Sequence, residues 1–283
     1  MTDKQKVAIV TDGACSISPV EGLNYGVHVA PVYVNFGDKT YQAGVNLDNN
    51  QFYSLLRSSK QLPSTSQPTT RDFINIYEKV ADEVDAIITV VISHHMSATL
   101  ESALAAKEQF TRVPVYVVDS LSVSLGLGMI AIEAARAANE GQSAEQVLKH
   151  IENVQSKLQV IFTVATLEYL HKGGRIGGAT ALLGSVLDIK PVLYIKDGRI
   201  EPLERQRTKK QAVERLIQIM EAQVGSSRVH VSVLHCDIPQ EAQEFAERIK
   251  SKFDCSEIMV QDAGPVIGVH AGPGTLGLIY YPD

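Results

Sequence analysis

Apolar and polar positions alternate along the first half of this chain in a way that predicts helices and strands in succession. Between residues 73 and 80 the apolar side chains fall at the i, i+3, i+4, i+7 spacing of one helix face, and Thr69 and Thr70 precede them as capping hydroxyls. This pattern predicts an amphipathic helix that ends near Val84. The other elements predicted here are strands over 7–10, 86–92 and 115–118 and helices over 97–109 and 125–139. Strands that alternate with helices through short connections favour a mostly parallel sheet.

The second half of the sequence adds a hairpin to this alternation. Asp197 and Gly198 stand between two short apolar segments and predict a tight turn between strands at 192–195 and 199–200. Ser143 and Gln146 have the spacing of a capping box, so a helix is expected to begin there. The other elements predicted in this half are strands over 160–164, 229–234 and 258–261 and helices over 179–187, 211–224 and 239–253.

Length and the change of pattern together predict two domains. A chain of 283 residues exceeds one typical domain and can bury a sizeable core. Because the hairpin breaks a purely parallel order, we predict an α/β fold with two parts. Residues 1–157 are expected to form a domain with a mostly parallel sheet, and residues 158–283 a mixed α/β domain. The boundary is soft, and the chain ends are free to cross over.

Composition and charge exclude several classes of function. The formal net charge of −6 argues against nucleic-acid binding, since surfaces of that kind are usually basic. Three cysteines without C-x-x-C spacing suit reduced thiols, and no set of ligands has the spacing of a metal site. We expect no metal, and we expect His94 and His95 to be exposed loop residues. Without a signal peptide or an apolar stretch of about 20 residues, the expected protein is soluble and cytoplasmic, with no transmembrane segment.

Polar and glycine residues concentrate in four predicted loops, at 63–68, 93–99, 173–178 and 264–277. The first two precede helices, whose free N–H groups attract anions. The third places Arg175 between glycine pairs, and the fourth surrounds His270 with glycines. Ligands of open α/β sheets bind beyond the carboxyl ends of strands, so a common site is expected. The last loop contains the spacing G-x-G-x-x-G but opens no helix of a βαβ unit, so nucleotide binding is not expected.

These loops, in this order, resemble the motifs of a known family. The first strand runs into Thr11-Asp12, and Ser64-Thr-Ser-Gln-Pro68 contains a Thr-Ser-Gln-Pro sequence. Two further segments, Leu170-His-Lys-Gly-Gly-Arg175 and His270-Ala-Gly-Pro-Gly-Thr275, complete the set. Together they are similar to the hallmarks of the DegV family of bacterial fatty-acid-binding proteins, which includes the FakB subunits of fatty acid kinase. The resemblance spans nearly the whole chain.

The resemblance implies a long-chain fatty acid in a tunnel between the two domains, with its carboxylate at their junction. By motif position, the residues implied around the carboxylate are Thr65, Ser97, Arg175 and His270. The supporting loop positions are Ser66, Ser93, Thr99, Gly174 and Gly272. The acid implied by the resemblance has roughly fourteen to eighteen carbons, such as palmitate, stearate or oleate, and each buried CH₂ would add about 0.8 kcal/mol to its binding. No other cofactor is implied.

The resemblance also implies a non-catalytic carrier that presents the acid to the ATP-binding subunit of a fatty acid kinase. The acyl phosphate so formed would serve phospholipid synthesis. No G-x-x-x-x-G-K-[ST] motif occurs in the chain, consistent with a nucleotide site on the partner. Arg205 and Arg207 are the implied docking residues, and a transient membrane contact is left open. One loop departs from the family's Ser-Ser-Gly-Leu-Ser-Gly-Thr, since it reads Ser93-His-His-Met-Ser-Ala-Thr99.

Other interpretations of the same residues remain. A serine hydrolase for acyl esters would use Ser97 as the nucleophile and His270 as the base, oriented by Asp12 or Asp119. The chain has no G-x-S-x-G elbow for such an enzyme. A sugar or phosphate binder would need a polar cavity. Purely structural roles are the remaining alternative: helix caps for Ser97 and Thr69, a surface ion pair for Arg175, a turn for Asp12, and burial for His235 and Cys236.

Overall fold

The computed structural model describes residues 5–184 and 189–283. The strands of the first half are β1 (Val7–Asp12), β2 (Val27–Ala30), β3 (Tyr33–Phe36), β4 (Lys39–Gln42), β5 (Ser64–Ser66), β6 (Ala86–Val91) and β7 (Val115–Asp119). Its α-helices are α1 (Pro19–Asn24), α2 (Asn49–Ser58), α3 (Thr70–Val80), α4 (Thr99–Gln109), α5 (Leu125–Asn139) and α6 (Ala144–Lys157). A short 3₁₀ helix covers Gly13–Cys15.

The strands of the second half are β8 (Gln159–Thr163), β9 (Lys190–Lys196), β10 (Arg199–Gln206), β11 (Val229–His235), β12 (Cys255–Asp262) and β13 (Leu276–Pro282). Its α-helices are α7 (Glu168–Lys172), α8 (Lys209–Val224), α9 (Pro239–Lys252) and α10 (Gly264–Ala271). A second 3₁₀ helix covers Gly177–Leu182.

Two main sheets follow the two halves of the chain. The first has the strand order β2-β1-β6-β7 and is parallel throughout. The second has the order β10-β9-β8-β13-β11-β12, and only its β11–β12 pair is parallel. A small antiparallel sheet, β4-β3-β5, adjoins the first half. The predicted fold class, a parallel sheet followed by a mixed one, is therefore confirmed.

Capping side chains fix several helix ends as the sequence predicts. Thr69 accepts a hydrogen bond from the backbone N–H of Asp72, and Ser143 accepts one from Gln146, so both capping boxes form. Helix α5 has the predicted bounds. Helix α3 ends at Val80, four residues before the expected end. Helix α4 begins at Thr99 after Ala98, so Ser97 is not its cap.

Several predictions of local structure were wrong. No helix or strand was predicted over residues 13–66, yet this segment contains α1, α2 and β2 to β5. Residues 63–68 were expected to be a loop, but Ser64–Ser66 pair with β3 as a strand. The predicted helix over 179–187 is replaced by the 3₁₀ helix Gly177–Leu182, and its last three residues lie outside the described part of the chain. Strand β10 continues to Gln206, well beyond the predicted residue 200.

The largest error concerns residues 264–277, which were expected to form one loop. Eight of them form helix α10, and the strand β13 begins at Leu276. Strand β13 has a continuous apolar pattern because it is buried inside the sheet between β8 and β11. His270 therefore lies in the last turn of a helix.

One hydrophobic core joins elements from both halves, so the two main sheets pack together. Leu125 of α5, Phe162 of β8 and Ile279 of β13 belong to the same buried cluster. Helix α10 also packs on α2, since a Cβ built at Gly268 would lie 2.5 Å from the Phe52 ring. The domain boundary between residues 157 and 158 stays a prediction. Within the described residues, no helix has the length and apolarity to cross a membrane.

Candidate functional site

Residues from both halves line one internal cavity. It encloses about 940 Å³ of space between atoms, including solvent at its mouth. Most of its lining is apolar, from the ends of β6 and α5 and from the second sheet: Ile92, Val123, Val160, Phe162, Ile195, Ile200, Leu234 and Ile279. Its polar lining comprises Thr65, Gln67, Ser97, Thr99, Ser124, Arg175, His270 and Thr275. A mainly apolar cavity with a few polar groups is the usual form of a small-molecule site.

The centre of the polar lining is a contact between Thr65 and His270. Thr65 lies in the middle of strand β5, and His270 lies in the last turn of helix α10. Their atoms Oγ1 and Nε2 are 2.8 Å apart. The contact is possible because α10 packs against both β3 and β5. Two of the predicted site residues, from opposite ends of the chain, are thus joined directly.

The imidazole of His270 is held in its neutral form. Burial, and to a smaller extent the nearby charge of Arg175, together lower the pKa of His270 from 6.5 to about 4. Its Nδ1 is buried and has no hydrogen-bond partner among the described residues. Because an unpaired buried N–H is costly, we assign the proton to Nε2, which then donates to Thr65 Oγ1. The Thr65 hydroxyl keeps its own proton to donate to a ligand.

Arg175 lies beside this pair and is fixed by backbone carbonyls. Its Nε donates to the Met96 carbonyl at 3.0 Å, and its Nη1 donates to the Gly173 carbonyl at 2.7 Å. The Arg175 backbone N–H donates to Leu170 in α7, which turns the chain back toward the cavity. The guanidinium therefore bridges two predicted loops. It supplies a positive charge to a cavity in which His270 is neutral.

Ser97 and Thr99 complete the polar lining next to Met96. Their hydroxyl oxygens are 2.8 Å apart, so one donates to the other. Both residues line the cavity, and Thr99 is fully buried. The structure thus places Thr65, Ser97, Arg175 and His270 in the lining of one cavity. Their contact with a carboxylate stays a prediction.

The predicted supporting residues divide into two groups. Thr99 lines the cavity, whereas the other four lie outside its lining. Ser93 donates instead to the Gly198 carbonyl at 2.8 Å and so ties the end of β6 to the β9–β10 turn. Ser66 points away from Thr65, because neighbours on a strand face opposite sides, and accepts from Asn35.

Gly174 and Gly272 act through the backbone. Both have positive φ, +71° and +78°. Gly272 also has ψ of 164°, a conformation essentially confined to glycine, and a Cβ there would lie 2.3 Å from the Tyr169 ring. Gly272 thus ends helix α10 directly after the site. Nothing lies within 4 Å of a Cβ built at Gly174.

Asp12 supports the fold beneath the cavity. Its buried carboxyl group accepts hydrogen bonds from the backbone N–H groups of Ala14 and Ile92, both at 2.8 Å. Burial raises the pKa of Asp12 to about 6, and the two hydrogen bonds act in the opposite direction. The residue joins the ends of β1 and β6. These contacts favour the structural role that was one alternative for Asp12, in which its side chain orders the turn after β1.

The geometry does not favour the hydrolase alternative. Ser97 is hydrogen-bonded to Thr99, and the recorded partner of His270 is Thr65. Among the described residues no carboxylate orients His270, since Asp12 holds backbone N–H groups and Asp119 pairs with His94. A nucleophile must reach its base, and the base needs an orienting partner. The mainly apolar lining also argues against a sugar or phosphate.

Other predicted residues lie away from the cavity. Arg205 and Arg207 are exposed at and after the end of β10. His94 and His95 are exposed as expected, while His235 and Cys236 are buried. The sequence analysis missed Gln67, Ser124 and Thr275 as lining residues. Gln67 and Thr275 belong to quoted motifs, so a signal for them existed, whereas nothing in the pattern marks Ser124.

The fold and the site together define an α/β protein with an internal, mainly apolar ligand cavity. A family model described as "uncharacterised protein, DegV family" matches residues 6–283. The chain therefore belongs to the DegV family, which confirms the resemblance of its motifs.

Similar proteins support this assignment over the full length. A DegV domain-containing protein of Halalkalibacterium halodurans is 36% identical over 279 residues, which cover 98% of each chain. A solved structure described as fatty acid binding of a DegV family protein from Thermus thermophilus is 35% identical, with a TM-score of 0.92 and coverage of 98% and 100%. The structure of DegV from Bacillus subtilis, described as a fatty acid binding protein, is 30% identical, with a TM-score of 0.91 and coverage of 99% and 100%.

Proposed function

We propose that this protein binds one long-chain fatty acid in the cavity between its two sheets. The observation that carries the proposal is the cavity lining, which combines the polar residues Thr65, Ser97, Arg175 and His270 with mostly apolar side chains. Two similar structures are described as fatty acid binding. An acid with a single charged end and an apolar tail matches both parts of the lining.

The polar group replaces the water around the carboxylate. A carboxylate loses several kcal/mol on leaving water unless donors replace its hydration. Thr65 and Ser97 supply hydroxyl donors, and Arg175 supplies a positive charge. His270 acts mainly from behind Thr65, because its Nε2 is already engaged with the Thr65 oxygen.

The apolar wall supplies most of the affinity. At about 0.8 kcal/mol per buried CH₂, a tail of about sixteen carbons gains on the order of ten kcal/mol before association costs are subtracted. Side chains such as Phe162, Leu234 and Ile279 provide this surface. We therefore propose a ligand of roughly fourteen to eighteen carbons, such as palmitate, stearate or oleate.

The finer part of the proposal concerns a partner. We propose that the protein carries the acid to the ATP-binding subunit of a fatty acid kinase, which forms the acyl phosphate for phospholipid synthesis. Exposed Arg205 and Arg207 make no ion pair among the described residues, so both charges are available to a partner. The three free cysteines suit a cytoplasmic location for this exchange.

Mass spectrometry of an organic extract of freshly purified protein tests the proposal. The wild type is expected to release a fatty acid in near-stoichiometric amount, and an Arg175→Ala/His270→Ala variant clearly less. A matched control replaces an exposed arginine and an exposed histidine elsewhere, Arg71→Ala/His171→Ala, and should retain the acid. If the wild type yields no acid and binds none when palmitate or oleate is added, the proposal is wrong.

A further inference from the structure

Three side chains able to bind a metal ion converge away from the cavity. They are Glu133 on α5, His230 on β11 and Glu257 on β12, all partly buried. Each offers one ligand atom, and these atoms lie within 4.8 Å of one another. Across residues 5–184 and 189–283, no other group of three or more such side chains meets this spacing. The three come from distant parts of the sequence, so motif spacing does not reveal them.

Both ring nitrogens of His230 face carboxylate oxygens. Nδ1 lies 2.9 Å from Glu257 Oε1, and Nε2 lies 2.8 Å from Asp283 Oδ1. A neutral imidazole has only one N–H, so one of the two contacts needs either a second proton or a cation. If Nε2–H donates to Asp283, Nδ1 is free to act as a ligand. Histidines that bind metals usually have this arrangement, with the second nitrogen donating to a carboxylate.

The buried hydroxyl of Tyr281 lies at the same place. Tyr281 is 5% exposed, and its hydroxyl lies beside the Glu133 carboxylate without a well-aligned hydrogen bond to any described residue. Together with Glu133 and Glu257 it lines a small cavity. Its ring stacks on His230, with centroids 4.7 Å apart and planes 5° apart. A water held beside Glu133 would accept a well-aligned hydrogen bond from this hydroxyl, so the group is placed to contact a metal-bound water.

Arg136 occupies the space between the two carboxylates. Its Nη1 lies 2.5 Å from Glu133 Oε1 and 2.7 Å from Glu257 Oε1, and its Nη2 lies 2.6 Å from Glu257 Oε2. The Arg136 side chain is 41% exposed, so it can swing into solvent. In this structure the Arg136 guanidinium thus supplies the positive charge beside the two carboxylates.

We propose that Glu133, His230 and Glu257 form a binding site for a divalent transition-metal cation, and that Arg136 takes its place in the metal-free protein. One imidazole and two carboxylates suit Zn²⁺, with water as the fourth ligand beside Tyr281. Because Glu133 belongs to the first half of the chain and the other two ligands to the second, the cation would clamp the two halves together. The site is separate from the lipid cavity and does not depend on the proposed function.

Calorimetric titration of the purified protein with ZnCl₂, in a buffer that does not bind metals, tests this site. The wild type is expected to bind one zinc ion, and His230→Ala to lose that binding. Arg136→Ala should bind zinc about tenfold more tightly, because the arginine no longer competes for the two carboxylates. The control is His94→Ala/His95→Ala, which removes the exposed adjacent histidines that could bind zinc adventitiously. This control should bind zinc like the wild type.

Three results would overturn the proposal. They are a wild type that binds no zinc, a zinc affinity that disappears with His94 and His95, and an Arg136→Ala variant that binds no more tightly than the wild type. Circular dichroism establishes that each variant is folded. If a variant fails to fold, crystals of the wild type soaked in ZnCl₂ give the answer, through an anomalous zinc peak between Glu133, His230 and Glu257 or the lack of one there.

Discussion

Thr65 Oγ1 lies 2.8 Å from His270 Nε2, although 205 positions separate the two residues in the chain. In this contact His270 donates its N–H to Thr65, so the Thr65 hydroxyl proton is the one left to donate to a ligand. The affinity for a fatty acid should therefore depend on the two residues jointly.

Thr65→Val removes the hydroxyl and nearly preserves side-chain shape. We expect it to weaken binding of a fluorescent fatty acid by about tenfold, as expected for a lost hydrogen bond to a charged group. His270→Ala should have a similar effect. The double variant should be little weaker than either single one, because the two act through one hydrogen-bonded unit. Thr65→Ser keeps the donor and serves as the control. Additive losses would show that His270 contacts the ligand independently.

The pH dependence of stability should report the buried imidazole. Above pH 6.5 the His270 ring is neutral in both the folded and the unfolded state. Between about pH 6.5 and 4 the unfolded chain binds a proton that the folded protein does not, so the free energy of unfolding falls as the pH falls. A shift from 6.5 to about 4 corresponds to an effect on the order of 3 kcal/mol.

The variant His270→Asn isolates this effect. Asp12 acts in the opposite direction, because its pKa is raised to about 6 and the folded protein gains a proton first as the pH falls. Asp12 is present in both proteins, so the difference between their urea-unfolding curves belongs to His270. We expect the ligand-free wild type to lose more stability than the variant between pH 7 and about pH 5. Parallel losses would mean that the histidine is not buried in neutral form.

Two serines of one loop should behave differently. Ser93→Ala removes a buried hydrogen bond to the Gly198 carbonyl, so it should lower the free energy of unfolding by about 1–2 kcal/mol and leave fatty acid affinity nearly unchanged. Ser97→Ala should lower the affinity several-fold with little effect on stability. Urea unfolding and a binding titration on both variants separate the two roles. An affinity loss in Ser93→Ala equal to that in Ser97→Ala would contradict this division.

Gly272 and Gly174 form a matched pair with positive φ. The Cβ of Gly174→Ala would contact nothing, so this variant should lose only the cost of a left-handed backbone, about 1 kcal/mol of the free energy of unfolding. Gly272→Ala adds a collision with Tyr169 and a backbone conformation essentially confined to glycine, so we expect a loss of about 3 kcal/mol or more. Thermal unfolding of both variants measures the difference. Equal losses would show that Tyr169 moves aside at little cost.

Arg205 and Arg207 provide a test of the proposed partner. Arg205→Glu/Arg207→Glu should leave fatty acid binding unchanged, because neither residue lines the cavity. Acyl phosphate formation with the kinase subunit should fall at least tenfold, since like charges at an interface slow association. A control with Lys250→Glu/Lys252→Glu, on exposed parts of α9, should retain turnover. Unchanged turnover in the arginine variant would remove these residues from the docking surface.

Regular patterns were enough to predict much of the architecture from the sequence. Helix α5 and the capping boxes at Thr69 and Ser143 follow from local periodicity and hydroxyl spacing, which act within a few residues. The small sheet β4-β3-β5 was missed because its strands are only three or four residues long. Helix α10 was missed because glycine and proline weigh against a helix locally, whereas packing on Phe52 requires a glycine there.

The candidate site was predictable only as a set of residues. The motifs identify Thr65, Ser97, Arg175 and His270, and the structure places all four in the lining of one cavity. No local signal indicates that His270 contacts Thr65, or that Ser93 contacts Gly198, because both contacts join distant segments. Ser66 points away from the cavity because it lies on a strand, and this direction could not be predicted while residues 63–68 were taken as a loop.

Strand β13 fills the middle of the six-stranded sheet, between β8 and β11, yet it comes after both in the chain. During synthesis on the ribosome, β8 and β11 emerge before β13, the strand that lies between them and pairs with both. The sheet can close only when residues 276–282 have been made, directly after His270. A nascent chain therefore lacks a finished cavity, and any ligand must enter after translation has passed this strand. Truncation before Leu276 should yield an aggregation-prone chain, because two unpaired strand edges stay exposed.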